Sequence, residues 1–230
     1  GGGLLLVGAG TWLAILDRKR RHERFAKETA QLEAKALRAQ MDPHFIGNSL
    51  HAINGYLLAN DPRAASDLLG RFAKWMRSTL ENNRQDEVFL SDELEAARTF
   101  LSLERARTNE KFEFTIVLPP DDTTLRYRIP TMLIQPVLEN AVKHGITPKS
   151  GPGHIRLLVE EQPDELVITI EDDGVGRRTA DPGMAHRSMS SNITQQRLAL
   201  LSERTGKQVS MLTEDLELGT RVVLRLPIMG

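Results

Sequence analysis

Five polar residues interrupt the apolar stretch IPTMLIQPVLENAVKHG: Gln135, Glu139, Asn140, Lys143 and His144. On a helix, Leu133, Ile134, Val137, Leu138, Ala141 and Val142 cover most of the circumference, so the polar group collects on one side. Glu139 and Lys143, four apart, could be an ordinary surface pair contributing about 0.2–0.5 kcal/mol. That accounts for two residues and leaves an asparagine and a histidine on the same narrow strip. An amide oxygen with a carboxylate beside it can hold Mg²⁺, which takes few protein ligands when it also holds phosphates. Lys143 can meet a phosphate as a point charge.

A second group is EDDGVG, residues 171–176. A strand ends there in Asp172, followed by Gly174 and Gly176. A carboxylate at a strand end can accept from the exocyclic amine of a base, and glycines let backbone approach a ring. Turns after strands are rich in Asp and Gly, so the pattern alone is equally well a plain turn. The same holds for Gly219 and Thr220, which open the last strand.

The third group is QMDPHFIGNSL, residues 40–50. Pro43 stands in a helical pattern, where proline costs about 3 kcal/mol. The apolar seam keeps phase through it, so the helix bends and continues. His44, Asn48 and His51 fall at i, i+4 and i+7 and share one face. A neutral imidazole nitrogen is a good nucleophile near neutral pH.

The elements that must position these groups follow from periodicity. Residues 18 to about 59 read as one long helix with a near-heptad seam through Phe25, Leu32, Ala39, Ile46, Ile53 and Leu57. NDPR is a turn, with Asp61 an N-cap and Pro62 at the first helical position of the next helix. That helix carries Ala65, Leu68, Leu69, Phe72, Trp75, Met76, Thr79 and Leu80 on its apolar face. A helical hairpin buries only one seam, so pairing with a second copy as a four-helix bundle is expected. Ser91 is expected to cap a third helix, with Asp92 and Glu93 in its first turn. After residue 110 the order reads β-α-β-β-loop-α-β-β, an α+β sandwich with helices on one sheet face. Its first helix is expected to be opened by Pro130 and closed by Gly145.

Composition narrows the classes further. The 230 residues are 40% hydrophobic and 27% charged, as in an ordinary globular protein. A net charge of −1 gives no basic field for direct nucleic-acid binding. The absence of cysteine excludes disulfides, thiolate catalysis and cysteine metal sites. The six histidines show no HExxH or HxH spacing, so a histidine metal centre is not expected. GGGLLLVGAGTWLAIL carries no charge, and DRKRRHER follows it. This reads as the end of a truncated transmembrane helix with a basic cluster on the cytoplasmic side.

PHFIGN, QPVLENAVKHG and EDDGVG, in this order, resemble the LytS/YehU-type sensor histidine kinases, over roughly residues 36–228. The later part also resembles the GHKL-type ATP-binding domain of gyrase, Hsp90 and MutL proteins. The resemblance implies an α+β protein: a helical-hairpin dimerisation domain, forming a four-helix bundle as a dimer, followed by a GHKL-type α/β sandwich. The expected boundaries are 1–16 for the transmembrane end, 17–88 for dimerisation and phosphotransfer, 89–110 for a connecting helix and 111–230 for the ATP-binding domain. His44 would be the phosphoacceptor, with Asn48 assisting dephosphorylation of the regulator. Asn140 would coordinate Mg²⁺, with Glu139 close to the metal or the transferring phosphate. Lys143 and His144 would face the phosphates. Asp172 would bind adenine, with Gly174 and Gly176 shaping that pocket, and Gly219 and Thr220 beside it. Arg197 would support the phosphate side, and residues 177–191 would form a lid over ATP.

Family members are homodimers that pass the phosphoryl group to an Asp on a response regulator, often one with a LytTR-type DNA-binding domain. The implied location is the bacterial inner membrane, with the catalytic part in the cytoplasm. Two residues depart from the family pattern. Gly47 replaces an aromatic after His44, and Ser190 stands where the lid-to-helix segment usually has glycine. Other readings of the same pattern are a GHKL-type ATPase, a serine kinase, or a catalytically degenerate dimeric scaffold.

Overall fold

The computed structural model describes residues 43–82, 84–176 and 189–228. The expected membrane segment 1–16, the basic cluster after it, the helix before residue 43 and the lid up to residue 188 lie outside the described residues. No helix among the described residues is long and apolar enough to cross a membrane. The chain divides into two compact units, 1–47 and 48–230. Only the opening turn of a helix is described in the first unit.

Helix α1 spans Pro43–Leu58, so the helix does continue past the proline. Phe45, Ser49 and Ile53 are its buried positions, four residues apart along one stripe. It ends where Asn60 adopts a left-handed φ of 59°, which asparagine tolerates, and Asp61 N–H bonds back to Tyr56 O at 2.9 Å. Asp61 then caps α2, Pro62–Asn82: its carboxylate accepts from Ala64 N–H at 3.0 Å.

Ala65, Leu68, Phe72, Trp75 and Thr79 of α2 are buried within the chain, whereas Leu69, expected on the same apolar face, is exposed. Phe72 stacks on Trp75 at 6.3 Å between centroids, and Trp75 meets Phe100 of α3 (Leu90–Arg107) at 6.4 Å. Lys74 and Glu95 pair at 2.7 Å over the same contact. Helix α3 is thus more than a connection. Leu90, Leu94, Ala97, Phe100, Leu101 and Leu103 are all buried, because it lies between α2 and the remainder of the unit.

Two short strands escape the periodicity argument. β1 (Glu87–Phe89) and β3 (Arg128–Pro130) pair antiparallel, with Val88 opposite Ile129. Three residues are too few to show alternation. Their pairing changes two expected helix starts. Phe89 is extended and α3 begins at Leu90, so Ser91 lies inside the helix and is not its cap. Pro130 ends a strand, with no N–H needed for the ladder on its open side, and does not open a helix.

The main sheet has the order β2-β4-β5-β7-β6, with β2 (Phe112–Val117), β4 (Gly153–Glu161), β5 (Glu165–Asp172), β6 (Ser210–Asp215) and β7 (Thr220–Pro227). β2 runs parallel to β4, and the other neighbours are antiparallel. One face carries the buried side chains Ile155, Leu157, Val159, Leu166, Ile168, Ile170, Leu224 and Leu226. The other carries cross-strand ion pairs, Arg221 with Glu171 and Arg225 with Glu165, each at 2.5 Å. This is the expected α+β sandwich with its helices on the apolar face.

Helix α4 (Gln135–Asn140) continues as a π-helical turn over Ala141–Ile146, and helix α5 spans Met189–Thr205. Trp75 is 2% exposed and joins α2 to α3. Replacing Trp75 with Ala should therefore lower unfolding stability by about 3–5 kcal/mol, measured by denaturant titration. A loss below about 1 kcal/mol would show that α2 is not held by this contact.

Candidate nucleotide site

The helix bearing the polar strip starts later than its sequence implies. Met132 has φ 59°, a left-handed conformation that breaks any helix running from Pro130. The turn is held by Glu93 of α3, 3% exposed, whose carboxylate accepts from Met132 N–H at 3.2 Å and Ile134 N–H at 3.1 Å. Burial pushes the Glu93 carboxyl up, against the opposing pull of those amides and of Arg197. α4 then begins at Gln135 with Pro136 in its first turn, where its missing N–H is harmless.

Gln135 is buried and donates its amide to Glu139 at 2.9 Å, which fixes that carboxylate from the inside of the helix. Glu139 and Asn140 are half-buried; Lys143 and His144 are exposed. The widening into a π turn falls between these pairs, with Thr147 N–H bonding to Val142 O five residues back at 2.8 Å. π turns of this kind interrupt α-helices most often at functional sites. Partial burial and the neighbouring Lys143 charge hold the His144 imidazole below its usual range, so it is neutral near pH 7.

Gly145 does not close the helix as expected, because the π turn carries the chain through it to Ile146. Its requirement is steric. A Cβ at Gly145 would lie 2.4 Å from Asp172 Oδ1, and one at Gly174 would lie 2.3 Å from Gly145 Cα. Val175 N–H donates to Gly145 O at 3.1 Å, so the helix is seated directly on the loop after β5. Gly219, at φ 87°, closes the third side, where a Cβ would fall 1.8 Å from Asp172 O. Gly176 reaches the Gly219 carbonyl, and Thr220 pairs with Asp172 across the sheet. The site residues Asp172, Gly174, Gly176, Gly219 and Thr220 therefore converge, and Gly145 ties them to the helix of Glu139, Asn140, Lys143 and His144.

Asp172 is 7% exposed. Burial pushes its carboxyl from 3.8 up to about 6, and Asp173 adds to the rise. The Gly174 N–H at 3.0 Å, Lys149 and the Thr220 N–H favour the ionised form. Asp173, which the sequence reading passed over, acts as a strap: it accepts from His154 N–H at 2.7 Å and pairs with Lys149 at 2.9 Å. The doubled acid in EDDG is the signal for it, one carboxylate turned inward and the next tying down the loop. Arg197 is half-buried, donates to the Thr131 carbonyl and lies in the field of Glu93. In α1, residues 44, 48 and 51 do fall on one helical face; Asn48 is half-buried and His51 exposed, while the His44 side chain lies outside the described residues.

Residues 32–112 match the family model described as histidine kinase. Residues 127–229 match the model for histidine kinase-, DNA gyrase B- and HSP90-like ATPases. The chain belongs to the histidine kinase family. It is 30% identical to the sensor histidine kinase YesM of Bacillus subtilis over 87% of this chain and 34% of that protein. It is 29% identical to the sensor protein LytS of Staphylococcus haemolyticus over 85% of this chain and 34% of that one. The chain thus spans about a third of the length of these curated relatives. A solved histidine kinase domain of the blue-light activated kinase of Erythrobacter litoralis aligns with a TM-score of 0.48 at 15% identity, over 70% of this chain and 74% of that one.

A buried, ionised Asp172 is destabilising, and the sign is fixed by its raised carboxyl. The cost is absent at low pH, where the group is protonated in both states, and appears in full above about 6. Asp172→Asn should therefore raise stability at pH 8 by up to about 3 kcal/mol, a shift of several degrees in Tm that shrinks toward pH 4. An unchanged Tm at pH 8 in calorimetry would overturn this assignment.

Proposed function

We propose that the chain is the catalytic part of a two-component sensor histidine kinase. It binds ATP, autophosphorylates on His44 and passes the phosphoryl group to an Asp of a response regulator. The observation that carries this reading is the seating of one polar helix on one buried carboxylate. Gly145 brings Glu139, Asn140, Lys143 and His144 onto the loop of Asp172, Gly174 and Gly176, with Gly219 and Thr220 closing it. Asp172 accepts from the adenine amine. Lys143 meets the phosphates, and neutral His144 can donate to them without adding charge.

The residues present fit Mg²⁺. Glu139 and Asn140 offer adjacent, half-buried oxygen donors. No group of three or more His, Cys, Asp or Glu among the described residues could hold a metal. That donor set suits an ion shared with phosphate oxygens and not a closed protein cage. Bound there through Asn140, with Glu139 close by, Mg²⁺ would neutralise charge on the phosphates.

In the transfer itself, an imidazole nitrogen of His44 attacks the γ-phosphorus. The bond to the bridging oxygen of ADP breaks, ADP leaves with the electron pair, and the imidazole proton goes to solvent. Asn48, one turn on from His44, orients the water that removes the phosphoryl group from the regulator. We further propose a homodimer through the α1–α2 hairpin, a receiver partner of the kind that carries a LytTR domain, and a bacterial membrane anchor at residues 1–16. The apolar run followed by a basic cluster supports the anchor.

Incubation with γ-labelled ATP and Mg²⁺ should give acid-labile, alkali-stable label on the protein. His44→Gln should abolish it with ATP binding kept, and Asn140→Ala should abolish the label and weaken ATP binding. Acid-stable label, or hydrolysis that survives His44→Gln, would sink the histidine kinase reading in favour of a serine kinase or ATPase. Absence of ATP binding would leave a scaffold. For the anchor, residues 1–42 fused to a soluble reporter should sediment with membranes; a fusion left in the supernatant refutes it.

A further inference from the structure

We propose that Glu93 is a positioning residue for the nucleotide site, the link through which α3 sets the placement of α4. The proposal rests on the nucleotide reading above.

Residues 131–134 lie between the end of β3 and the start of α4; Thr131 N–H donates to Asp86 O at 3.2 Å, whereas the N–H groups of Met132 and Ile134 turn to a side chain. Met132 there has a left-handed φ, which a non-glycine residue adopts at some strain. Two side chains hold this segment from two elements. Glu93 of α3 accepts from the N–H groups of Met132 and Ile134, and Arg197 of α5 donates to the carbonyl of Thr131. Glu93 is taken wholly and Arg197 partly out of water to do so, which is costly for charged groups and would serve no purpose if packing were the only need. An apolar side chain at residue 93 would leave two N–H groups without that acceptor in a buried turn.

The consequence for the site is geometric. α4 is only six residues long before it widens, and Glu139 and Asn140 end it. Its direction is set by the turn that Glu93 and Arg197 hold. α3 is also the helix against which α2 packs through Trp75 and Phe100. A shift of α3 therefore moves Glu93, and Glu93 moves the donors of Met132 and Ile134. Arg197 acts on the same turn from α5, so it too positions α4.

The test is titration with ADP carrying a fluorescent methylanthraniloyl group, in the presence of Mg²⁺. Wild type is compared with Glu93→Gln, Arg197→Gln, Asn140→Ala and the double variant Glu93→Gln/Asn140→Ala. Glu93→Gln keeps the shape of the side chain but offers one acceptor to two donors. It and Arg197→Gln should each weaken binding about tenfold. In the Asn140→Ala background the further effect of Glu93→Gln should fall below about threefold, because Glu93 acts through α4. A merely structural role would lower the Tm and leave the affinity of the folded protein unchanged. Wild-type affinity in both single variants, or full additivity in the double variant, overturns the inference alone. Failure of wild type to bind the probe overturns the nucleotide reading, and the inference with it.

Discussion

Backbone, more than side chains, encloses the Asp172 carboxylate. Gly145 approaches it, and Gly219 its main chain, more closely than any Cβ permits, and Gly174 lies equally close to Gly145. That crowding fixes three elements at once: the π turn after α4, the loop after β5 and the first residue of β7. It also excludes water from a carboxylate, which is why the group resists ionisation while amide donors hold it charged. A base that offers an amine to Asp172 meets an acceptor already desolvated and already oriented. The cost of burying Asp172 and its orientation as an acceptor have one origin.

The longer elements were legible because their periods are unambiguous. The alternation in LVITIED and TRVVLRLP places both strands to within a residue, and the i, i+3, i+4 pattern of α2 includes its five buried residues, although Leu69, also on that expected face, is exposed. The polar strip of α4 and the glycines after Asp172 were legible as candidates because those residue types fit poorly with the apolar helix and strand around them. Helix starts were not. Pro130 and Ser91 carry the local signals of helix openings, and a three-residue strand pairing overrides both. Gly145 looked like a stop signal because its true constraint, a carboxylate 27 positions later in the chain, has no local trace. Glu93 was visible only as an acid in a first turn. Nothing in its neighbours announces two amide partners some forty residues away.

Helix α3 carries three roles that the sequence assigns to separate parts. Its outer face receives α2, its first turn sends Glu93 into the turn before α4, and its last turn leads through Asn109 and Glu110, both left-handed, into β2. Glu104 and Arg107 pair at 2.6 Å near that end, with Glu104 almost wholly buried. The boundary between the helical segment and the sandwich therefore runs along a packed surface and not through a linker. Communication between the two needs no hinge, only a small displacement of one helix.

The strand order has a consequence for assembly in time. β4 and β5 form a hairpin across a few residues, and β6 and β7 form another, so both can close early. The pairing of β5 with β7 joins segments fifty residues apart, as at Arg221 and Glu171, and only this pairing brings Gly219 to Asp172. Loop closure of that length is slow and is paid before any contact rewards it. The enclosure of Asp172 is thus among the last features to form on the way to the native state. A chain emerging from synthesis would carry the whole polar strip of α4 well before the pocket around Asp172 could close.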